Sequence, residues 1–481
     1  MKISRIRKLF ALVFSSVIFV ALAGIALFIA RGNIITDQGL VETGSVRFNV
    51  NPSGTYQVFL NEQVQTIANN SVSNLTPGSY DLKIDKQGYT SWHQSIDIRA
   101  GLVTDVTVQL FPQDLKLEQL SKTNVDKVFF SPSHRYAYYA IINYPLGTQV
   151  GLWKQTLQQS NIPLIAEQPL KITNLTDLIA KDINGGKFTI KPSLDDTRIL
   201  LLTTTATYVL DSSRYNEPAT ENKLDLSYPV DEINWLGSSS NLLIRSGNLL
   251  IDYDLNKKSS TIISYEADKT PIYSATNNSV TYLLRGKLYK YTSGNNTAVV
   301  LENVTLPENI TTIQTGSSSD TDLILKDGTK LFYLNVTDSY LTELGAYDLV
   351  TMSPNGRNLI VSDGQKLTSI TIDISLAFNS VQTQKKDTIL TSDIDHQSIL
   401  WDPNSNYFVF QKTGENTKLY SADLTGNNVT QLLSSDSLTS PAYYGLPENN
   451  AGLIVRLLDG GQTQTDTTEK RANLYRLGFT Q

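Results

Sequence analysis

Cysteine is absent from all 481 residues of the chain. Disulfide bonds, thiolate metal sites and cysteine nucleophiles are therefore excluded together. The absence does not identify a redox compartment, because an oxidising environment permits disulfides without requiring them. The fold must be held together by packing.

Basic charge is scarce outside the amino terminus. The first 31 residues carry Lys2, Arg5, Arg7, Lys8 and Arg31 and no acid, whereas the remainder carries 35 basic and 46 acidic side chains, a net charge of −11. An acidic body repels nucleic acid phosphates and anionic lipid surfaces, so nucleic acid is not an expected partner. Wall polymers with cationic groups, or basic proteins, fit this charge better.

Sequence motifs for catalysis or cofactor binding are also missing. The three histidines, His93, His134 and His396, are scattered, and no His-x-x-x-His pair occurs, so we predict turn or surface residues and no metal ligands. No Gly-x-Ser-x-Gly elbow, P-loop or Gly-x-Gly-x-x-Gly fingerprint is present, and the serine clusters at 238–240 and 317–319 are typical of loops. We therefore predict no enzyme activity and no cofactor. The sequence assigns no catalytic, metal-binding or ligand-binding residue.

Neighbouring acids are the remaining candidates for chemistry. Asp195-Asp196 and Asp320-Thr321-Asp322 are considered as glycosidase carboxylates or calcium ligands. A calcium loop needs several oxygens at alternating positions closed by a distal acid, which neither pair offers. We predict solvated turn acids, and catalytic carboxylates brought together from distant parts of the fold stay open as an alternative.

A long uncharged apolar run lies at residues 9–30. As a helix it would span about 33 Å at 1.5 Å per residue, which matches the hydrocarbon core of a bilayer. The four cations in residues 1–8 place that stub in the cytoplasm by the positive-inside rule. The pattern predicts a transmembrane signal anchor in the plasma membrane, a linker at 31–43, and an extracytoplasmic body.

A cleaved signal peptide ending near Ala21-Leu22-Ala23 is the alternative interpretation of this run. The apolar core of a signal peptide is normally about 7–15 residues long and stops near its cleavage site. Here it continues through Ile25, Leu27, Phe28 and Ile29, which favours retention.

Period-two alternation occupies residues 44–112. Val46, Phe48 and Val50 alternate with polar residues, and the same pattern recurs at 80–84, 96–98 and 106–110. Such alternation predicts half-buried strands. Segments rich in proline, glycine and asparagine separate the strands and predict tight turns.

The order of these strands and turns resembles the PEGA domain family. The resemblance depends on Asn51-Pro52-Ser53-Gly54, Val58-Phe59-Leu60-Asn61, Leu75-Thr76-Pro77-Gly78 and Lys86-Gln87-Gly88-Tyr89. It implies a small β-sandwich on a bacterial or archaeal surface protein, with no established chemistry. Tyr89 and Trp92 are predicted to pack in the core or at an edge, and a sugar-stacking platform is the alternative.

A repeated unit fills residues 113–481. Its starts fall at about residues 128, 188, 233, 272, 313, 350, 399 and 442, which are 37 to 60 residues apart. Propeller blades repeat at about 40–50 residues. The clearest copies contain Ser131-Pro132 and Ser353-Pro354, and Pro192 and Pro403 keep the turn proline. Ser or Asp beside proline predicts a type I turn between two strands of a blade.

The repeat resembles TolB-like and other WD-type β-propellers, whose units carry aromatic-Ser-Pro-Asp-Gly-Lys/Arg turns. Ser353-Pro354-Asn355-Gly356-Arg357 is the nearest copy. We predict eight blades, or seven if the first unit is an extension. An open solenoid is the structural competitor, but closure of a ring removes exposed strand edges.

The sequence therefore predicts an all-β protein with a transmembrane helix, a PEGA-like sandwich and a propeller. Its expected role is that of a membrane-anchored binding or scaffold protein that engages an envelope protein or a cell-wall polymer. One alternative is a propeller-type glycoside hydrolase or lyase acting on envelope polysaccharide. Another is a sensor that signals through residues 9–30, although the eight cytoplasmic residues leave no room for an output domain.

Overall fold

A computed structural model describes residues 12–20, 22–23, 33–36, 39–121, 124–142, 149–157, 168–179, 187–237, 239–276, 279–293, 299–300, 304–316, 321–337, 339–364, 366–377, 380–390, 393–445, 452–459 and 471–479. The chain divides into two compact units, Met1–Asp114 and Leu115–Gln481. Strands predominate in both units. The predicted all-β class is confirmed.

The amino-terminal segment contains residues 12–20 and 22–23, which are helical. Phe14 and Phe19 are 64% and 72% exposed there. These residues belong to the predicted anchor at 9–30, and the rest of that segment lies outside the described residues. Among the residues that the structure describes, no helix is both long and apolar enough to cross a bilayer. The anchor stays a prediction.

An antiparallel hairpin, β1 (Asn33–Thr36) and β2 (Gly39–Glu42), follows this segment. It falls in the predicted linker at 31–43. Strands of four residues are too short for an alternation pattern to be recognised in the sequence, so the hairpin was not anticipated.

Seven further strands of the first unit form two sheets around one core. They are β3 (Gly44–Asn51), β4 (Gln57–Leu60), β5 (Gln63–Gln65), β6 (Ser71–Leu75), β7 (Gly78–Asp85), β8 (Trp92–Ile98) and β9 (Val103–Gln109). One sheet has the order β6-β3-β9 and the other β5-β4-β7-β8. The alternating Val46, Phe48 and Val50 of β3 are buried, and they share a core with Leu82 and Ile84 of β7. Alternation thus places one face of each sheet inside and the other in solvent.

The described residues of the second unit form eight antiparallel sheets, which we call blades 1 to 8. Strand β10 (Lys116–Gln119) comes first. Blade 1 contains β11–β14 (Lys127–Phe130, Tyr136–Ile141, Gly151–Thr156, Leu170–Thr173), blade 2 contains β15–β17 (Phe188–Pro192, Arg198–Thr203, Thr207–Asp211), blade 3 contains β18–β21 (Glu232–Leu236, Asn241–Ser246, Leu249–Asp254, Ser259–Tyr265) and blade 4 contains β22–β25 (Ile272–Ala275, Ser279–Leu284, Lys287–Thr292, Val299–Val300). Blade 5 contains β26–β29 (Ile310–Thr315, Asp322–Asp327, Lys330–Asn335, Tyr340–Ala346), blade 6 contains β30–β33 (Leu349–Met352, Asn358–Ser362, Leu367–Ala377, Ser380–Ile389), blade 7 contains β34–β37 (Ile394–Trp401, Tyr407–Lys412, Lys418–Asp423, Thr430–Ser434) and blade 8 contains β38–β40 (Leu438–Gly445, Gly452–Asp459, Arg471–Gly478). A short helix at Thr176–Ile179 precedes blade 2, and a 3-10 helix at Ala219–Asn222 follows it. Each of the eight unit starts predicted from the sequence falls inside the first strand of a blade.

The second strand of most blades is a continuous apolar run. Examples are the buried Ile199-Leu200-Leu201 of blade 2 and Phe408-Val409-Phe410 of blade 7. Successive residues of a strand point to opposite faces, so a run of this kind is buried only if both faces are covered. Leu201 accordingly packs against blade 1, and Leu200 packs against blade 3. Hydrophobic cores therefore lie between neighbouring blades.

The ring of blades is closed by the two ends of the second unit. Strand β10 pairs antiparallel with β40, from Lys116↔Gly478 to Gln119↔Tyr475, and becomes the fourth strand of blade 8. Residues of blade 1, such as Tyr139, share a core with Ile454 and Leu474 of blade 8. A series of blades whose last sheet takes its outer strand from the start of the unit has the topology of a propeller.

A repeated turn joins the first and second strands of four blades. In each copy the side-chain oxygen of the first residue accepts a backbone hydrogen bond, and the residue three positions later has a left-handed φ. The first residues are Ser131, Ser193, Ser353 and Asp402, and the left-handed residues are His134, Asp196, Gly356 and Ser405. Pro192 departs from the prediction, because it ends β15 and Leu194 takes the place that proline has in the other copies.

Candidate functional site

A cavity of about 440 Å³ lies beside the first strands of blades 2, 3 and 4. It is at the end where first strands turn into second strands, because Pro132, Leu194 and Thr276 of its lining follow β11, β15 and β22. The first strands of propeller blades surround the central channel. Cavities of about 300–1,000 Å³ are of the size that holds small ligands in proteins.

One wall of the cavity is apolar. It consists of Pro132, Pro192, Leu194, Trp235 and Ala275. Trp235 is only 9% exposed, and its indole Nε1 donates to the Lys191 carbonyl at 2.7 Å. This bond joins blade 3 to blade 2 and holds the indole edge in place.

Another part of the lining is polar because of the alternation along β18, and we call it the polar wall. Ile233 and Trp235 turn toward blade 2 and are buried with Leu200. Glu232 and Asn234 occupy the alternate positions, so they point to the other side of the strand and are half-buried. The sequence Glu-Ile-Asn-Trp thus presents a carboxylate and an amide to the cavity.

A hydrogen-bonded chain crosses the polar wall from blade 2 to blade 3. The Lys191 ammonium donates to the Ile233 carbonyl at 2.9 Å and to Asn234 Oδ1 at 2.6 Å. Asn234 Nδ2 in turn donates to Glu232 Oε1 at 3.0 Å. Arg245 Nε lies 3.5 Å from Glu232 Oε2. The amide of Asn234 therefore bridges a cation and an anion.

The electrostatics of this wall favour an ionised Glu232. Burial by itself would raise the pKa of Glu232, but hydrogen bonds from Tyr273 and Asn234 and the charge of Lys191 outweigh it, so the pKa is lowered. Burial lowers the pKa of Lys191, and the charge of Glu232 opposes this shift. Burial and the bond to Glu232 raise the pKa of Tyr273, whose hydroxyl therefore stays a donor.

The histidines singled out in the sequence lie in separate sheets. His93 is on β8, His134 is in the turn of blade 1, and His396 is on β34. Within the described residues, no group of three or more histidine, aspartate or glutamate side chains is placed to hold a metal ion.

The neighbouring acids of the sequence also lie apart. Asp195 and Asp196 belong to the turn of blade 2, and Asp322 begins β27 of blade 5, where it accepts a hydrogen bond from Tyr333. Asp320 and the serines at 238 and 317–319 lie outside the described residues. Asp322 is 3% exposed and Asp196 is 8% exposed, so these two are buried and the prediction of solvated turn acids was wrong for them.

Asp195 and Asp196 have opposite electrostatic environments. Asp195 is exposed, and the slight desolvation of its carboxylate raises its pKa, but hydrogen bonds from Ser193, Ser239 and Thr197 outweigh this and lower the pKa well below the usual range. Burial raises the pKa of Asp196, although Ser133 and Lys154 act against the shift. The Ser239 hydroxyl of blade 3 donates to Asp195 Oδ2 at 2.7 Å, so Asp195 links blade 2 to blade 3.

We expect Asp195→Asn to lower the free energy of unfolding by about 1 kcal/mol at pH 7, because Asp195 is exposed and its charged hydrogen bonds are weakened by solvent. A carboxyl whose folded pKa is depressed stabilises the fold above its unfolded value of 3.8, and this contribution disappears as pH falls through the folded pKa. Urea unfolding between pH 7 and pH 3 should show the difference between variant and wild type shrinking toward acid pH. A difference independent of pH would contradict this account.

Aromatic side chains of the first unit pack inside it. Tyr89 and Trp92 are 7% and 4% exposed and belong to the core that the two sheets share. The Lys86 ammonium lies 4.7 Å from the centre of the Tyr89 ring and donates to the carbonyls of Pro52 and Ser53, each at 2.8 Å. These contacts join the turn after β3 to the turn before β8.

Residues 43–114 match the PEGA domain. The PEGA resemblance recognised in the sequence is thereby confirmed. In this matched segment the Ser53 carbonyl, in the turn after β3, accepts from the Lys86 ammonium. Tyr89 and Trp92 are core residues of the PEGA domain and do not form an exposed platform for a sugar ring.

Several solved structures are similar to this chain. The WD40 domain of SCAP from fission yeast has a TM-score of 0.44 at 9% identity, over 76% of this chain and 98% of that one. Hsv2 of Kluyveromyces lactis has a TM-score of 0.40 at 12% identity, over 62% and 93%. An oligogalacturonate lyase from Vibrio parahaemolyticus has a TM-score of 0.37 at 8% identity, over 76% and 97%. No curated protein matches the chain.

The cavity was not found from the sequence. The blade starts near residues 188 and 233 were predicted from the sequence, but Lys191, Glu232 and Asn234 belong to no known binding or catalytic motif. A usable signal was present in Glu232-Ile233-Asn234, where two polar residues alternate in the first strand of a blade.

Proposed function

We propose that this chain is a membrane-anchored binding protein whose PEGA domain and eight-bladed propeller work outside the cytoplasm. The observation that carries the proposal is the cavity on the first strands of blades 2 to 4, where Lys191 and Glu232 are held by hydrogen bonds beside an apolar wall. Convergent polar groups beside apolar surface are typical of a binding site. The charge pattern of residues 1–31 and the apolar run at 9–30 support the anchor.

The partner that best fits the proposal is an envelope protein or a cell-wall polymer. The acidic body disfavours anionic ligands and nucleic acids, and a single anchor keeps the propeller near the membrane surface. Under this proposal the PEGA domain serves as a folded spacer, because its aromatic residues are occupied in its own core.

A propeller-type glycoside hydrolase or lyase is the second candidate from the sequence. Its carboxylates would have to lie within about 10 Å of each other around a glycosidic bond. The buried acids that the structure describes, Asp196, Asp252, Asp322 and Asp402, belong to blades 2, 3, 5 and 7. Asp252 accepts from Asn241 and Tyr291, both at 2.7 Å. Such partners support a structural role, so binding is the function proposed.

The anchor is tested by fractionating cells that produce the full-length chain. We expect the intact chain in the membrane fraction, with the propeller accessible to protease added from outside. Replacing two of the apolar residues, Val17→Arg with Phe19→Arg, should abolish membrane retention, because each arginine costs about 2.5–3.5 kcal/mol at the centre of a membrane helix. A wild-type body released without its first 23 residues would instead establish signal-peptide cleavage.

Binding is tested with the purified full-length chain, immobilised in detergent and exposed to envelope extracts. The expected result is enrichment of a defined protein or polymer that also binds when purified separately. Turnover of any glycan by the purified chain, lost in one Asp or Glu variant, would favour the enzyme over the binding protein.

A further inference from the structure

The polar wall of the cavity has unused hydrogen-bonding capacity. A lysine ammonium has three donors, and Lys191 uses two of them, on Ile233 O and Asn234 Oδ1. A carboxylate has about four acceptor positions, and the contacts of Glu232 with Asn234, Arg245 and Tyr273 occupy three. Within the described part of the chain, one donor and one acceptor are left for a ligand.

The spacing of this donor and this acceptor suits an amide. The side-chain amide of Asn234 already bridges them, with its oxygen on Lys191 at 2.6 Å and its nitrogen on Glu232 at 3.0 Å. The two charged groups are thus one amide apart, so an amide of a ligand has the length needed to bridge them. A peptide backbone offers a carbonyl acceptor and an N–H donor in every residue except proline.

The rest of the lining favours a peptide over a sugar. Carbohydrate rings stack on flat exposed aromatic faces, but Trp235 is almost buried and its edge is bonded to Lys191 O. Pro192, Leu194 and Ala275 offer small aliphatic surfaces, which suit an apolar side chain. The Ser274 hydroxyl in the lining is hydrogen-bonded to the Thr315 hydroxyl of blade 5 at 2.9 Å, so this contact already occupies it in part.

We propose that the cavity binds an extended peptide segment of a partner protein. Lys191 donates to a peptide carbonyl, Glu232 accepts from a peptide N–H, and an apolar side chain of the peptide lies against Pro192 and Trp235. This inference rests on the proposed binding function and names the chemical class of its ligand. The Lys191–Glu232 pair is neutral as a whole, so the backbone and not a charge is recognised.

The test uses the purified full-length chain in detergent and a synthetic library of unstructured octapeptides with acetylated and amidated ends. We expect a subset with an apolar central residue to bind, and Lys191→Met and Glu232→Gln each to weaken binding about tenfold or more, because the first removes the charged donor and the second replaces the charged acceptor with a weaker neutral amide. The matched controls are Lys330→Met and Glu343→Gln. These residues form an exposed cross-strand pair on blade 5, with 3.5 Å between Nζ and Oε2, and their replacement should leave binding within twofold.

Peptides with an N-methylated backbone distinguish the loss of a direct contact with Glu232 from a general structural effect of its substitution. N-methylation of the peptide at the residue that donates to Glu232 should weaken binding to the wild type about tenfold and should have a smaller effect on Glu232→Gln, whose neutral acceptor contributes less. Thermal melting of each variant confirms that it is folded. Equal sensitivity of wild type and Glu232→Gln to every N-methyl position would overturn the proposed contact.

Two glycan probes address the other class of ligand. These are N-acetylglucosamine oligosaccharides, which are neutral and carry amides, and oligogalacturonate, which is anionic. Binding of either probe that is lost in Lys191→Met and Glu232→Gln, without peptide binding, would overturn the peptide assignment. If a purified envelope protein binds but neither variant weakens it, the peptide inference fails and the binding function stands. If no peptide, glycan or envelope component binds, both fail.

Discussion

Replacing Arg476 with alanine is expected to lower the free energy of unfolding of the propeller by about 2–3 kcal/mol, since the change removes buried hydrogen bonds from a charged group. Arg476 lies on β40 and is 4% exposed. Its Nη1 is 3.0 Å from Glu118 Oε2 on β10, and its Nη2 donates to the carbonyl of Leu157, which directly follows β13 of blade 1. One guanidinium thus joins the closing strand, blade 8 and blade 1.

Arg476→Lys should be intermediate, because an ammonium keeps the charge but cannot reproduce the planar fork of a guanidinium. Glu118→Ala is the matched control. The Glu118 side chain is 57% exposed, so its loss should cost about 1 kcal/mol or less. Urea unfolding of the full-length chain provides the measurement. It is followed by tryptophan fluorescence, to which Trp153 contributes from its stack on Tyr139 in blade 1. Equal midpoints for Arg476→Ala and Glu118→Ala would show that Arg476 does not stabilise the closure.

Gly316→Ala is expected to destabilise the propeller by about 1–3 kcal/mol, the usual range for an added carbon in a closely packed region. Gly316 follows β26 of blade 5. A Cβ atom at this position would lie 2.6 Å from the amide nitrogen of Gly356 and 2.7 Å from the carbonyl oxygen of Pro354. Both atoms belong to the backbone of the turn of blade 6, which cannot move aside as a side chain can.

Gly445→Ala is an informative comparison. A Cβ at Gly445 would meet the Phe130 ring at 2.6 Å, and a ring can rotate away, so the loss should be smaller than at Gly316. Both variants are measured by the urea midpoint at constant slope. If Gly316→Ala is as stable as the wild type, blades 5 and 6 do not approach each other as closely as the structure shows.

Strand positions were readable from the sequence because burial follows strand geometry. Val46, Phe48 and Val50 alternate with polar residues and became the inner face of β3. The apolar run Ile199-Leu200-Leu201 has the pattern of a strand covered on both faces, and the structure places it between blades 1 and 3. Both signals are local, since they depend on the direction in which successive side chains point. The turn of blade 6 was readable for the same reason, because Ser353 and Gly356 are spaced as one turn requires.

The partners of each strand were less accessible. Strand β10 has only four residues and all are exposed, so nothing in its pattern indicates that it pairs with β40, more than 350 residues later. The prediction that Asp322 is a solvated turn acid failed for a related reason. Its burial is made tolerable by Tyr333 and Asn335 on the next strand, and this compensation is not visible in the immediate neighbours of Asp322.

The sequence by itself determined the all-β class, the PEGA domain and the first strand of every blade, because alternation and turn chemistry are written in consecutive residues. Only the tertiary structure decided which strand closes the ring and which polar residues meet at the cavity. Lys191, Glu232 and Tyr273 come from three different blades, and their hydrogen bonds depend on how neighbouring sheets pack. No periodicity along the chain encodes such a meeting, because it results from the arrangement of the blades around their axis.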